Sequence, residues 1–160
     1  MKKIQLGDIF ELKTPNGNAY LHYVYEDKTM CQLVRVLQGL HAVAPVDFSE
    51  LAASKERFVL FFPLVAARNR KIVTYAGHYP AEGFSKPKYM RTEHNIRGEF
   101  LGWHIVDTDT WKHRLVKTLT DEERGCSPWG IWNDTLLIER LTEDWSLDKW
   151  DGVLKKNGLG

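Results

Sequence analysis

Residues 9–37 carry the clearest pattern in this chain: alternation, a turn, alternation again, a polar break and an apolar return. Over residues 9–13, Phe10 and Leu12 point to one face of an extended segment and Glu11 and Lys13 to the other. Pro15-Asn16-Gly17 turns the chain, because proline pre-sets its own φ and Asn-Gly accepts the positive φ of a tight hairpin. Residues 19–25 form the second expected strand, their tyrosines suiting a pleated, half-buried surface. After the polar break 26–29, residues 31–37 return as a third strand that stops at Gly39. A three-strand meander with one apolar face needs a later element to cover it.

The remaining pattern supplies candidates for that cover. Pro45 makes residues 40–48 a loop, and Asp47 or Ser49 is placed to cap a short helix over 49–55. Residues 57–62 (RFVLFF) are too apolar for a surface strand and read as a central one covered on both faces. Pro63 ends it and suits the first turn of a helix over 64–70, with Leu64, Ala67 and Lys71 on one face. A strand over 72–76 closes at Gly77. From 77 to 98, Pro80, Gly83 and Pro87 leave room for one short strand near 88–91. Residues 99–106 and 111–119 form an antiparallel pair about the turn Asp107-Thr108-Asp109-Thr110.

Thr120-Asp121-Glu122-Glu123 has the character of a helix start, which GCSPWG interrupts. Residues 131–141 admit two readings: a helix capped by Asp134, or a strand over 135–140, which the loop-like ends favour. A helical turn over 146–150 and a frayed tail over 155–160 complete the chain. The expected architecture is a single α+β domain, 1–160. It has a strongly bent, mostly antiparallel sheet or partly open barrel with two or three short peripheral helices.

Composition narrows the class. No apolar run approaches the roughly 20 residues of a membrane helix, and the two lysines at the start are not followed by the apolar block of a secretory signal. With two distant cysteines, Cys31 and Cys126, in no metal-type pair, a reducing cytoplasm is the expected location. The net charge of +1 conceals two opposed blocks. Residues 54–97 hold nine Lys/Arg against three acids, and residues 121–151 hold nine acids against three Lys/Arg. The acidic block also holds four of the six tryptophans: Trp129, Trp132, Trp145 and Trp150. Either the blocks pair within the fold, or they leave an acidic, aromatic face for a basic partner.

Candidate chemistry is sparse. None of the six histidines stands one helical turn from another, as paired metal ligands do, so no metal and no cofactor is expected. His104 with Asp107 and Asp109 is the nearest approach to a hydrolytic or ligating cluster, and a hairpin turn holding two aspartates accounts for it equally. G-x-S-x-G and a glycine-rich phosphate loop are both absent. The basic block, with Tyr75, Tyr79, Phe84 and Tyr89 interleaved, has the composition of a nucleic-acid surface, but the chain as a whole is near neutral. In GCSPWGIWNDTLLIERL, two tryptophans stand three residues apart beside an acid, the material of a protein-binding hot spot or of a cover for the meander.

The opening GDIFELKTPNGNAYLHYVYE, the run RFVLFFPLVAA after a short helix, and the closing GIWNDTLLIERL together resemble the immunity protein 26 family. Its members are small β-rich bacterial proteins assigned to neutralising the toxins of polymorphic toxin systems. The likeness is a pattern of hydrophobic and glycine positions over roughly 7–141, and residues 78–120 align with none of it. The resemblance implies a cytoplasmic, non-enzymatic inhibitor that occludes a basic toxin, often a nuclease, and supplies no catalytic residues. Trp129, Trp132, Asp134, Asp144 and Trp145 are then the expected contact residues. Two other readings stand beside it: a nucleic-acid-binding module using the basic block 54–97, and a hydrolase with a His/Asp site near His104.

Overall fold

The computed structural model describes residues 3–150, so the expected frayed tail, 155–160, lies outside the described residues. The chain is α+β. Its order is β1 (Asp8–Thr14), β2 (Gly17–Asp27), β3 (Cys31–Val36), α1 (Ser49–Ala53), β4 (Phe58–Phe62), α2 (Leu64–Asn69) and β5 (Val73–His78). Then follow β6 (Tyr89–Ile96), β7 (Glu99–Asp107), β8 (His113–Val116), α3 (Asp121–Arg124), α4 (Asp134–Thr142) and a 3-10 turn, Leu147–Lys149. Among the described residues the strands make two antiparallel sheets and no closed barrel. No helix among the described residues is long and apolar enough to cross a membrane.

The described residues pack as two compact units, one of residues 3–85 with 130–144 and one of 86–129 with 145–150. In the first, the meander forms as the alternation predicts, in a five-stranded sheet ordered β4-β3-β2-β1-β5. The β1–β2 hairpin closes across Thr14 and Gly17, where Gly17 adopts φ +130 and the Thr14 hydroxyl donates to its carbonyl at 2.6 Å. Register shifts in β2 at Tyr23/Tyr25, and in β1 at Ile9/Phe10, add local twist and bend the sheet. Both of its faces are covered. Ile9, Tyr20, Leu37 and Phe48 form one buried cluster with Ala52 of α1, while α4 packs against β1 and α2 against β5.

Two expectations are corrected here. Phe58–Phe62 is buried along its whole length, as an all-apolar strand must be, but it stands at the sheet's edge rather than its centre. The edge is covered by residues 131–132: Ile131 bridges to Phe61, and the Trp132 amide donates to the Phe61 carbonyl at 3.1 Å. Residues 135–140 are helical, not extended. The Asn133 side chain caps α4 by accepting from the Leu136 amide at 2.8 Å, and Leu137 and Leu141, one turn apart, bury the inner face.

The second unit is a three-stranded sheet ordered β6-β7-β8 with α3 and the 3-10 turn. The late hairpin therefore belongs to its own sheet and not to the meander. β6 is also twice the expected length, eight residues, because pairing with β7 carries it past 91 to Ile96. α3 has a full capping box between Thr120 and Glu123, the motif the sequence signals.

Candidate functional site

A sharp entry into β1 builds one cavity of the first unit. Gly7 adopts φ +99, its amide donates to the Tyr23 carbonyl at 2.7 Å, and its carbonyl accepts from the Tyr79 amide at 2.9 Å. The next residue, Asp8, is buried and lies opposite His78 at the end of β5. Asp8 Oδ1 stands 3.0 Å from His78 Nδ1, and Oδ2 accepts from the Gln5 amide at 2.8 Å. A carboxylate only accepts, so His78 Nδ1–H is the donor of this bond. A Cβ at Gly7 would lie 2.6 Å from His78 Cε1 and 2.9 Å from Nε2, so only glycine allows the imidazole this position. The pair lines a cavity of about 560 Å³ together with Lys3, Arg68, Phe10 and Tyr75.

A second polar cluster in this unit is structural. Arg35 donates to Glu56 at 2.7 Å, to His22 Nδ1 at 3.0 Å, and to the Ala52 and Ser54 carbonyls at 2.8 and 2.7 Å. Because arginine has no acceptor, His22 Nδ1 must accept, and Nε2–H donates to the Tyr79 carbonyl at 2.7 Å. Burial, ahead of the charge of Arg35, lowers the His22 pKa and keeps the ring neutral. Nearly every donor here is spent on the fold, tying α1 to β2 and β3.

The second unit is pinned by Arg91, which is fully buried. Its guanidinium lies 4.7 Å from the Trp103 ring centre and 4.3 Å from that of Trp150. It donates to the carbonyls of Cys126, Trp150, Arg124 and Leu147. On the same sheet three imidazoles make a row: His104 Nε2 is 2.9 Å from His94 Nδ1, and His104 Nδ1 is 3.3 Å from His113 Nδ1. The central ring has a nitrogen turned to each neighbour, so the three do not converge on one point. Among the described residues no group of three or more His, Cys, Asp or Glu is placed to hold a metal ion.

The His–Asp pair that the hairpin turn suggests does not form. His104 turns to His94 and His113, while Asp107 pairs with Lys88 and Asp109 with Lys86 and Lys88. The true Asp–His pair joins residues seventy apart, a separation that no spacing rule detects. Those lysines, with buried Arg91 and with Arg57 at 3.3 Å from Asp144, also draw much of the basic block into internal contacts. Burial raises the pKa of both thiols, Cys31 and Cys126.

The five expected contact residues divide between the units. Trp132, Asp134 and Asp144 lie in the first. Trp132 is half-buried against Phe58, with ring centres 5.8 Å apart, and Asp134 and Asp144 flank opposite ends of α4. Trp129 and Trp145 lie in the second unit. Trp129 packs on His113 and Trp111, and Trp145 on Trp150, all with ring centres 5.1–6.4 Å apart. Asp144 is exposed, as are Ile131, at 53 %, Thr135 and Glu139 on the outer face of α4, and Glu143 at its C-cap, the last three one helical turn apart. Comparison with family models, with curated proteins and with solved structures finds no match to this chain.

Proposed function

We propose that the chain is a non-enzymatic protein-binding module of the immunity, antitoxin-like kind, which occludes a basic partner such as a nuclease toxin in the cytoplasm. One observation supports this reading above the others. The outer face of α4 exposes Glu139, with Glu143 exposed at its C-cap, and the segment leading into the helix exposes the apolar Ile131. Arg140 lies 3.6 Å from Glu139 and 3.5 Å from Glu143, but such exposed pairs are worth at most about 1 kcal/mol and exchange readily for a partner's cations. Carboxylates on this face steer a basic protein in, and Ile131 with the half-buried Trp132 slows its release. The loop-like approach to α4 is therefore where contact is expected, with Asp134 and Asp144 at its margins and Trp129 and Trp145 serving the second unit's packing.

The test is capture by immobilised protein from a lysate of its source cells, repeated with Glu139→Lys combined with Glu143→Lys. These exposed substitutions leave the core intact. A single basic protein held by the parent, lost by the variant and bound more slowly as salt rises is the expected result. Equal retention by both proteins sinks the reading. Recovery of nucleic acid alone, released by moderate salt, transfers the function to the basic block 54–97.

A further inference from the structure

The row of three imidazoles in the second unit plays no part in the α4 surface, and its geometry holds a pair of ligands rather than a trio. His104 stands on the central strand β7, opposite Thr92 of β6 and Leu115 of β8. His94 lies two positions along β6, opposite Gly102, and His113 two positions along β8, opposite Val106. Residues two apart in a strand share a face, so the three rings run diagonally across one side of the sheet. A register shift at His94/Asn95, of the kind that re-aims a side chain, falls at the first ring. At the other end Trp129 packs on His113 with ring centres 5.1 Å apart, and Trp111 on Trp129 at 6.4 Å, which restricts an otherwise exposed imidazole.

The two contacts of the central ring differ. His104 Nε2 and His94 Nδ1 are 2.9 Å apart, an ordinary hydrogen-bond length. His104 Nδ1 and His113 Nδ1 are 3.3 Å apart, longer than such a bond usually is. Two imidazoles bound to one tetrahedral zinc ion at roughly 2.0–2.1 Å hold their nitrogens about 3.3–3.4 Å apart. A right-angled, copper-type arrangement with the same bond lengths needs about 2.9 Å. We propose that His104 Nδ1 and His113 Nδ1 form a two-ligand site for a zinc-class divalent cation, with His94 as the positioning residue. With His94 Nδ1 accepting from His104 Nε2–H, the His104 lone pair stands on Nδ1, the side facing His113, which is the outer-shell arrangement of a metal-bound histidine. Among the described residues no third His, Cys, Asp or Glu completes the set, so water fills the other two positions of the tetrahedron. Magnesium and calcium, which take oxygen ligands, are not accommodated. The site stands independently of the α4 surface and of any partner protein there.

Calorimetric titration of the full chain with zinc chloride, beside magnesium chloride as the control, tests the proposal. Saturable binding of one zinc ion per chain, with no heat from magnesium, is expected. His94→Ala weakens it by about tenfold, the usual cost of losing an outer-shell partner, and His104→Gln or His113→Asn weakens it further. His94→Gln, which keeps an acceptor for His104 Nε2–H, recovers part of the loss. Long-range proton–nitrogen spectra of the imidazoles locate the metal: the Nδ1 signals of His104 and His113 shift with zinc, and the signals of His22, His41 and His78 stay. His113 is exposed, so His113→Asn gives a folded variant whatever His104→Gln does to the sheet. Absence of saturable zinc binding overturns the proposal. So does binding that His113→Asn leaves unchanged, magnesium binding as tightly as zinc, or attachment through Nε2 of either ring.

Discussion

Arg91 shows how much one side chain can organise. Its donors satisfy carbonyls from the segment after β8 and from the 3-10 turn, while two indole faces cover it. Burial lowers its pKa to about 10, so it remains charged at neutral pH. Arg91→Met keeps the bulk but strands those carbonyls, and a loss of about 3–5 kcal/mol in urea denaturation is expected. Arg91→Lys recovers only part of this, because an ammonium neither stacks as a plane nor spans four acceptors. A change below about 1 kcal/mol would mean that water replaces the guanidinium at low cost. At Gly7 the expected effect is local. Gly7→Ala places a methyl within 2.6 Å of the His78 ring at a positive φ, costing about 1–3 kcal/mol and displacing the imidazole from Asp8. The His78 ring signals in an NMR spectrum report that displacement directly.

At the scale of elements, α4 and β4 show where pattern reading succeeds and fails. TLLIER contains three successive apolar residues, which suit a strand as well as a helix. Only the burial of Leu137 and Leu141 one turn apart, with Asn133 at the N-cap, makes it helical. Burying two leucines contributes about 1.5–3 kcal/mol each. Asn133→Ala is expected to cost about 1 kcal/mol, read from chemical denaturation of the first unit. For β4, composition reported full burial but not its source. A strand is covered as well by a segment crossing its edge as by a neighbouring strand, and the Trp132 amide on Phe61 does that work. The meander, by contrast, was legible from local rules alone, because turns at Gly17 and at 28–30 and strict alternation act within a few residues.

Across the whole molecule each unit carries a histidine whose pKa is lowered. His22 in the first is lowered chiefly by burial, then by Arg35 and His78, with the Tyr79 carbonyl and Glu56 opposing. His104 in the second is lowered by burial, then by His94 and His113. A lowered folded value means that the unfolded chain binds the proton at higher pH. Stability from both groups is therefore complete above the ordinary histidine value of 6.5 and declines as pH falls below it. Protonation turns His22 Nδ1 into a donor facing a donor, and it sets like charges along the row of three imidazoles. Thermal melts from pH 8 to pH 5 should show both units losing stability on the acid side. Trp132 alone reports the first unit and the other five tryptophans the second, so Trp132→Phe separates the signals. His104→Gln should flatten the acid limb of the second unit and leave that of the first.

Local chemistry along the chain determined the β-rich α+β class, the meander, the β7–β8 hairpin and the capping of α3, since alternation, turn residues and caps act between near neighbours in sequence. Tertiary structure alone decided the rest. It gathered residues 86–129 and 145–150 into a unit of their own, set β4 at an edge and turned 135–140 into a helix. It also packed Trp129, Trp132 and Trp145 against neighbouring rings, and joined Asp8 to His78. The reason is physical: which face of a segment is buried, and which distant side chain meets a carboxylate, depend on contacts between residues tens of positions apart. Neither periodicity nor spacing encodes those contacts.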